Sequence, residues 1–180
     1  MANCLTAGLS LNCATSCSGG VSRFWVTSID AITSITETAG LITAITMDGA
    51  EVFYEFVPYQ ETASFTENID RISCNSAGTD TLTAVFPCRS QATREALEEM
   101  LDCCCGLVVI HEETNGQRWL WGSTKAINAA QTKVGFPAQL TNVNGVSGVA
   151  ITDQNQTTVT IEAKVTFQAL PVDSALVISV

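Results

Sequence analysis

Near the C-terminus, the residues from Thr158 to Gln168 alternate strictly between polar and apolar side chains. The apolar positions are Val159, Ile161, Ala163, Val165 and Phe167. Because successive side chains of a strand point to opposite faces, this period of two predicts a long β-strand with one buried and one solvated face. One-sided burial is typical of antiparallel sheets. The chain must therefore contain an antiparallel sheet that is covered on one side.

Further segments rich in Val, Ile, Thr and aromatic residues predict additional strands. They cover residues 21–36, 41–47, 51–57, 64–68, 79–86, 107–113 and 117–122. Asp48-Gly49 and Asn115-Gly116 each lie between two of these segments, and both pairs are typical of tight β-hairpin turns. Together with the alternating strand, these segments predict about eight strands.

One segment has helical rather than strand periodicity. In residues 91–104, apolar side chains recur at spacings of three and four, and acidic residues occupy the opposite face. Ser90 or Thr93 is a suitable N-terminal cap, and Gly106 is a suitable stop. We expect Leu97, Met100 and Leu101 to pack against the sheet. The predicted fold is mainly β, an antiparallel sandwich or barrel with one flanking helix at about 91–104.

A chain of 180 residues can bury a full core, and we expect one domain spanning 1–180. Residues 1–20 are rich in Cys, Ser, Asn and Gly and predict an irregular arm. Residues 58–80 and 123–147 predict long loops, although 64–86 also fits a long hairpin. Long loops in compact domains are usually functional or interfacial. We therefore predict contacts between subunits at Pro58, Tyr59, Asn75, Ser76, Gly78, Phe136 and Pro137.

Charge excludes some classes of partner. Only 14% of residues are charged, against roughly 25% in a typical domain, and the net charge is −10. An acidic chain lacks the Lys and Arg needed to grip phosphates. A surface poor in charge is easily covered by another subunit. The apolar C-terminal stretch 175–180 is too short to span a bilayer, and residues 1–20 lack the features of an export signal, so no membrane association is expected.

Catalytic and metal-binding patterns are missing from the sequence. The eight cysteines include no CxxC pair, and the one histidine, His111, lies in an apolar strand segment. We therefore expect no enzyme activity, no metal and no cofactor, and free thiols in a reducing cytosol. Trp119 and Trp121 share a strand face. They fit packing against the sheet, and alternatively a platform for a sugar or a base.

Several stretches, taken in order, resemble one protein family. They are MANCLTAGLSLNC, SITETAGLITAITMDG, ETASFTENID, FPCRSQATREALEEM and LVVIHEETNGQRWLWGS, followed by the polar turn 152–156 before the alternating strand. This ordered set resembles the tail tube proteins of phages that infect Bacteroidota, within the wider group of tail and type VI secretion tubes.

The resemblance implies a structural virion protein that forms rings, typically hexamers, which stack into a hollow tail tube. The implied partners are further copies of the chain, the tape-measure, terminator and baseplate proteins, and genomic DNA that passes through the lumen without specific binding. The implied location is the virion, after assembly in the bacterial cytoplasm. Two alternatives remain open: a tail terminator or connector that forms a single ring, and a monomeric β-sandwich binding module.

Overall fold

The computed structural model describes residues 19–72, 75–87, 89–123, 136–148 and 155–178. Within these residues the chain forms eleven strands and one α-helix, α1 (Gln91–Asp102), besides a short 3-10 helix at Ile29–Ala31. The strands are β1 Val21–Ser28, β2 Ile32–Thr38, β3 Leu41–Met47, β4 Tyr54–Phe56, β5 Ser64–Ile72, β6 Asn75–Pro87, β7 Leu107–Glu113, β8 Arg118–Trp121, β9 Gln139–Val146, β10 Gln156–Val165 and β11 Leu170–Val172.

The strands form two open sheets. The larger sheet has seven strands in the order β2-β3-β11-β8-β7-β1-β4, and the smaller has four in the order β5-β6-β10-β9. Neighbouring strands are antiparallel except for the β11–β3 pair, which is parallel. The predicted antiparallel, mainly β fold with one helix is confirmed, and of the two predicted architectures the chain adopts the sandwich-like one.

The first of two hydrophobic clusters fills the space between the sheets. The larger sheet contributes Phe24, Val26 and Val109, which lie on its inward face. The smaller sheet contributes the alternating apolar residues of β10, among them Val159 and Ile161, which are fully buried. The period of two in the sequence therefore places one face of β10 in this core, as predicted.

The second cluster covers the opposite face of the larger sheet. Trp25, Ile110 and Leu120 pack there against residues of the β2–β3 hairpin and against Phe53. Leu176 and Ile178, which follow β11, also pack against this cluster. The central strand β7 is consequently buried on both faces.

Helix α1 begins where the sequence indicates. The Ser90 Oγ accepts a hydrogen bond from the Thr93 N–H at 3.1 Å, which is an N-cap contact. Leu97 and Met100 are buried, as predicted, but the prediction for Leu101 is wrong because 52% of its surface is exposed. Successive helical residues are about 100° apart. The helix contacts the first cluster through a narrow stripe that contains Leu97 and Met100, and Leu101 lies beside this stripe.

The first predicted loop is largely strand, and the second contains one strand. Residues 64–72 and 75–87 form the β5–β6 hairpin, and residues 139–146 form β9. The sequences of these three strands resemble loops because Thr, Asn and Ser occupy their solvated faces. Residues 1–18 of the predicted arm and residues 124–135 of the second loop lie outside the described residues.

The two predicted hairpin turns differ in outcome. Asn115-Gly116 joins β7 to β8, as predicted, and Gly116 has a positive φ of 84°. Asp48-Gly49 does not join a hairpin, because β4 pairs with β1 and β3 pairs with β2. The turn between β2 and β3 is instead Ala39-Gly40, with φ values of 53° and 85°. After Met47 the chain crosses the larger sheet to reach β4, and Phe53 in this segment is buried in the second cluster.

Candidate assembly surfaces

The outer face of the smaller sheet is polar and almost uncharged. We call it the threonine face. By alternation with the buried positions and by strand register, it consists of Ser64, Thr66, Asn68, Asp70, Ala77, Thr79, Thr81, Thr83, Val85, Pro87, Gln139, Asn142, Asn144, Val146, Gln156, Thr158, Thr160, Glu162 and Lys164. Its charged residues are Asp70, Glu162 and Lys164, and the Lys164 Nζ donates to the Thr79 Oγ1 at 2.9 Å. Threonine favours strands because its branched side chain fits a pleated surface.

The same sheet ends in two strands that each have one neighbour. Among the described residues, β5 pairs only with β6, and β9 pairs only with β10. An edge strand presents unpaired N–H and C=O groups to any further strand. On β9, Val143 and Val146 are 36% and 45% exposed. These edges are the clearest sites for contact with another chain.

Strand direction determines how such edges can join. All three pairs within the smaller sheet are antiparallel, so direction alternates across its four strands. With an even number of alternating strands, β5 and β9 run in opposite directions. When a rotation places a second copy beside the first, its β5 is antiparallel to β9 of the first. Antiparallel pairing can therefore continue from copy to copy.

The residues predicted as contact sites do not form one patch. The N–H of Tyr59 donates to the Val85 carbonyl, near the end of β6, whereas Asn75 and Ser76 begin that strand. A strand rises roughly 3.3 Å per residue, so the contact of Tyr59 with Val85 lies about 30 Å from Asn75 and Ser76. Phe136 is 52% exposed and lies just before β9, close to the end of α1.

Two of these predicted residues have contacts inside the subunit, and their predicted contacts with another subunit stay a prediction. Pro58 is buried, so its side chain is not available to a neighbour without rearrangement. Gly78 lies within β6, where an added Cβ would be 2.1 Å from the Asn68 carbonyl oxygen. A close backbone approach of this kind explains a glycine inside a strand. Tyr59, Ser76, Phe136 and the half-buried Pro137 remain accessible.

A groove of about 570 Å³ separates α1 from the edge strand β9. Leu97, Leu101 and Val143 line it, and Arg89 and Arg94 are its basic residues. The exposure of Leu101 is therefore part of an uncovered apolar surface beside the free β9 edge. Sequence periodicity assigned Leu101 to the core and did not reveal this groove.

His111 lies inside the sandwich. It is fully buried, its Nδ1 accepts a hydrogen bond from the Trp121 Nε1 at 3.1 Å, and its ring centroid is 4.1 Å from that of Phe65. Burial lowers the pKa of His111 to about 3. The imidazole is therefore neutral at physiological pH and packs as a core residue.

The two tryptophans do not form an exposed platform. Trp121 is buried, and the partly buried Trp119 packs against the same cluster between the sheets. This placement removes the feature that suggested a monomeric sugar-binding or base-binding module.

A compact group of charged side chains lies on the face of the larger sheet that points away from the smaller sheet. Glu112 accepts from the Arg23 Nε at 3.1 Å and from the Arg118 Nε at 2.8 Å. Both guanidinium groups lie over the Trp25 ring, at 5.8 and 5.3 Å from its centroid. Arg118 also donates to the Leu176 carbonyl at 3.1 Å, which ties the segment after β11 to the sheet.

Three consecutive cysteines follow α1. Cys104 and Cys105 are exposed free thiols, and Cys103 is a half-buried one. The pKa of the Cys105 thiol is raised, mainly by a hydrogen bond with the Asp30 side chain. The other five cysteines lie outside the described residues, so the predicted redox state of the whole chain stays a prediction.

Within the described ranges, no group of three or more His, Cys, Asp or Glu side chains is arranged to hold a metal ion. The same residues include no helix with the length and apolar character to cross a membrane. Comparison of the chain with known protein families, curated proteins and solved structures finds no match.

Proposed function

We propose that this chain is a structural subunit whose copies join edge to edge into a ring, and that the rings stack into the tail tube of a phage. The observation that carries the proposal is the smaller sheet. It combines two free antiparallel edges, β5 and β9, with an outer face that carries little charge. The resemblance of the ordered sequence stretches to phage tail tube proteins supports the same assignment.

A ring follows from the type of contact. Pairing of β9 with a neighbour's β5 joins two different surfaces, and such heterologous contacts close into rings when the rotation between copies closes. Strand twist supplies a rotation at each junction, and a closed sheet has no free edges. Each copy contributes four strands to this common wall.

The threonine face lines the channel in this arrangement. The opposite face of the sheet is already covered by the first hydrophobic cluster, and the larger sheet lies beyond it. Each copy then contributes Asp70, Glu162 and Lys164 to the wall, a net charge that is slightly negative. Basic residues retard DNA because each contact with a phosphate adds affinity. A wall of mostly neutral hydroxyl and amide groups lets the duplex pass.

In this role the chain works with copies of itself and with tape-measure, terminator and baseplate proteins in the virion, and it assembles in the bacterial cytoplasm. The exposed Tyr59 and Phe136 lie outside the proposed β5–β9 junction and are available for contacts between rings. The role requires no catalytic group.

Electron microscopy of charge variants tests the edge junction. Lysines at Thr66, Asn68, Asn142 and Asn144 place like charges on both edges, and we expect them to abolish rings. Glutamates at Thr66 and Asn68, combined with lysines at Asn142 and Asn144, should restore rings because the edges then attract. Thr158→Lys with Thr160→Lys is the matched control, since it changes the same face on a central strand.

Each result of this experiment has a definite meaning. Stacked tubes from the unmodified chain support the tube subunit, whereas single rings would assign the chain to a terminator or connector. Persistent monomers at high protein concentration would refute the proposal. Rings that tolerate lysines on both edges would show that the junction lies elsewhere.

A further inference from the structure

The interior of the smaller sheet contains a carboxylate with no partner among the described residues. Asp80, on the inward face of β6, is 0% exposed, and neither of its carboxylate oxygens has a hydrogen-bond partner in the described part of the chain. The next inward residues along the strand are Leu82 and Ala84, which belong to the core between the sheets. A charged carboxylate without a partner is very costly in such a place, so it must be neutralised.

A second acidic residue, Glu67, lies on the neighbouring strand. Glu67 and Asp80 are direct cross-strand partners in the β5–β6 ladder. Such partners have Cβ atoms about 4.5–5.5 Å apart on one face of a sheet. The Glu67 Oε1 accepts the N–H of Ala169, whereas no described residue donates to Asp80. On its other side Asp80 is paired with Ala163, which offers no polar side chain.

The described residues that line the space beside Asp80 include no cation, and Arg71 of β5 lies four residues beyond Glu67, towards the end of that strand. The facing residues at this end of the sandwich are Leu120, Trp121, Gly122 and Ser123, together with Phe167, Gln168 and Ala169. Lys164 is on the opposite face of the sheet and donates to Thr79. The nearby His111 is buried and neutral, so it carries no compensating charge.

These surroundings favour the protonated acid. Two causes raise the pKa of Asp80 from its ordinary value of 3.8 to about 7. The larger cause is burial, and the smaller is the negative charge of Glu67. When two carboxylates share a site, ionisation of one opposes ionisation of the other. Asp80 therefore retains its proton to a higher pH than an ordinary aspartic acid does.

We propose that Asp80, buried beside the Glu67 side chain, holds a proton inside the sandwich at mildly acidic pH, and that loss of this proton weakens the β5–β6 part of the smaller sheet. The fold thus contains a pH-sensitive element. This proposal does not depend on the proposed tube function, because it concerns the single chain.

A proton fits this site better than a metal ion. Ca²⁺ takes six to eight oxygen ligands, and Mg²⁺ requires near-octahedral coordination. The site offers two carboxylates, one of which is already bonded to Ala169. The adjoining cavity of about 10 Å³ has room for roughly one water molecule.

The direction of the pH effect follows from the raised pKa. At pH values between about 4 and about 7 the folded chain retains a proton that the unfolded chain releases. Stability then falls as pH rises, because the folded state binds more protons than the unfolded state. The contribution from Asp80 is fully present below pH 4 and lost once the pH exceeds the folded pKa of about 7.

Thermal unfolding of the purified chain between pH 5 and pH 8 tests the proposal. We expect Asp80→Asn to raise the unfolding midpoint relative to the unmodified chain at pH 8 by more than at pH 5, because the amide stays neutral. Asp70→Asn is the matched control: this aspartate lies on β5, exposed on the threonine face, and its substitution should leave the pH dependence unchanged.

Glu67→Gln provides the second arm and is read out by carboxyl NMR. We expect the Asp80 carboxyl of the unmodified chain to titrate near neutral pH, and this midpoint to move to lower pH in Glu67→Gln. A midpoint near the ordinary aspartate value, or a pH dependence unchanged by Asp80→Asn, would overturn the proposal. Stabilisation by added CaCl₂ at pH 8 that disappears in Asp80→Asn would also overturn it, in favour of a cation site.

Discussion

The two sheets of this molecule bury their strands differently. Every residue from Leu107 to His111 on β7 is buried, because the centre of the larger sheet is covered on both faces. On β10 of the smaller sheet, buried and more accessible residues alternate. A sheet covered on both faces serves as scaffold, whereas a sheet covered on one face leaves the other for contact or for lining a channel. The comparison therefore directs the search for function to the smaller sheet.

The sheets also differ in how they accommodate buried acids. Glu112, on the larger sheet, lies between Arg23 and Arg118 and is fully compensated. Asp80, on the smaller sheet, faces another acid and no cation among the described residues. A paired acid supports the fold when it is ionised, whereas an uncompensated acid supports it only when it is protonated.

The largest effect on stability is expected in the first cluster, which both sheets share. Phe24 is fully buried and its ring stacks on Phe56 at a centroid distance of 5.3 Å. We expect Phe24→Ala to lower the free energy of unfolding by about 3–5 kcal/mol, because a large core side chain is lost and a cavity remains. Urea denaturation measures this change. A loss below about 1 kcal/mol would contradict the assignment of this residue to the core.

The helix provides the next test, since it contributes to the same cluster from the side. Leu97→Ala should cost about 2–5 kcal/mol, whereas Leu101→Ala should change stability by less than about 0.5 kcal/mol. The difference follows from their exposures of 4% and 52%. Thermal unfolding of both variants checks it. Equal losses would show that α1 packs through a different stripe.

A smaller effect is expected at the compensated acid. Glu112→Ala removes the acceptor for two arginines, and we expect a loss of roughly 1–3 kcal/mol at neutral pH. The value is moderate because Arg23 and Arg118 remain partly exposed and water replaces some of the contact. Urea denaturation at pH 7 measures it. Stabilisation by this substitution would place Glu112 in the same class as Asp80 and remove the contrast between the sheets.

The smallest effect is expected on the threonine face. Thr160→Val changes a hydroxyl to a methyl group on the accessible side of β10, and stability should change by no more than about 0.5 kcal/mol. The unfolding midpoint of the unassembled chain gives the measurement. A cost comparable to that of Leu97→Ala would mean that this face is already covered within the single chain.

The strongest sequence signals were those in which local pattern and tertiary environment agree. The Asn115-Gly116 turn and the Ser90 cap depend on neighbouring residues, and both are found where predicted. The alternation of β10 is found as far as Val165, where the strand ends, whereas Phe167 packs against the second cluster. The segment Gln139–Val146 failed as a prediction because its polar residues suit a loop and an exposed edge strand equally well. The free edges of the smaller sheet could not be predicted, because strand order is a property of the assembled sheets.

By itself, the sequence determined the class of fold, the position of the helix and the one-sided burial of the late strand. These features are local, because periods of 2 and 3.6 residues are set by backbone geometry. The tertiary structure alone decided that Leu101 is exposed, that β4 pairs with β1, and that Asp80 faces Glu67 without a cation. Each of these depends on residues far apart in the chain, and their meeting is decided by which faces the two hydrophobic clusters bury.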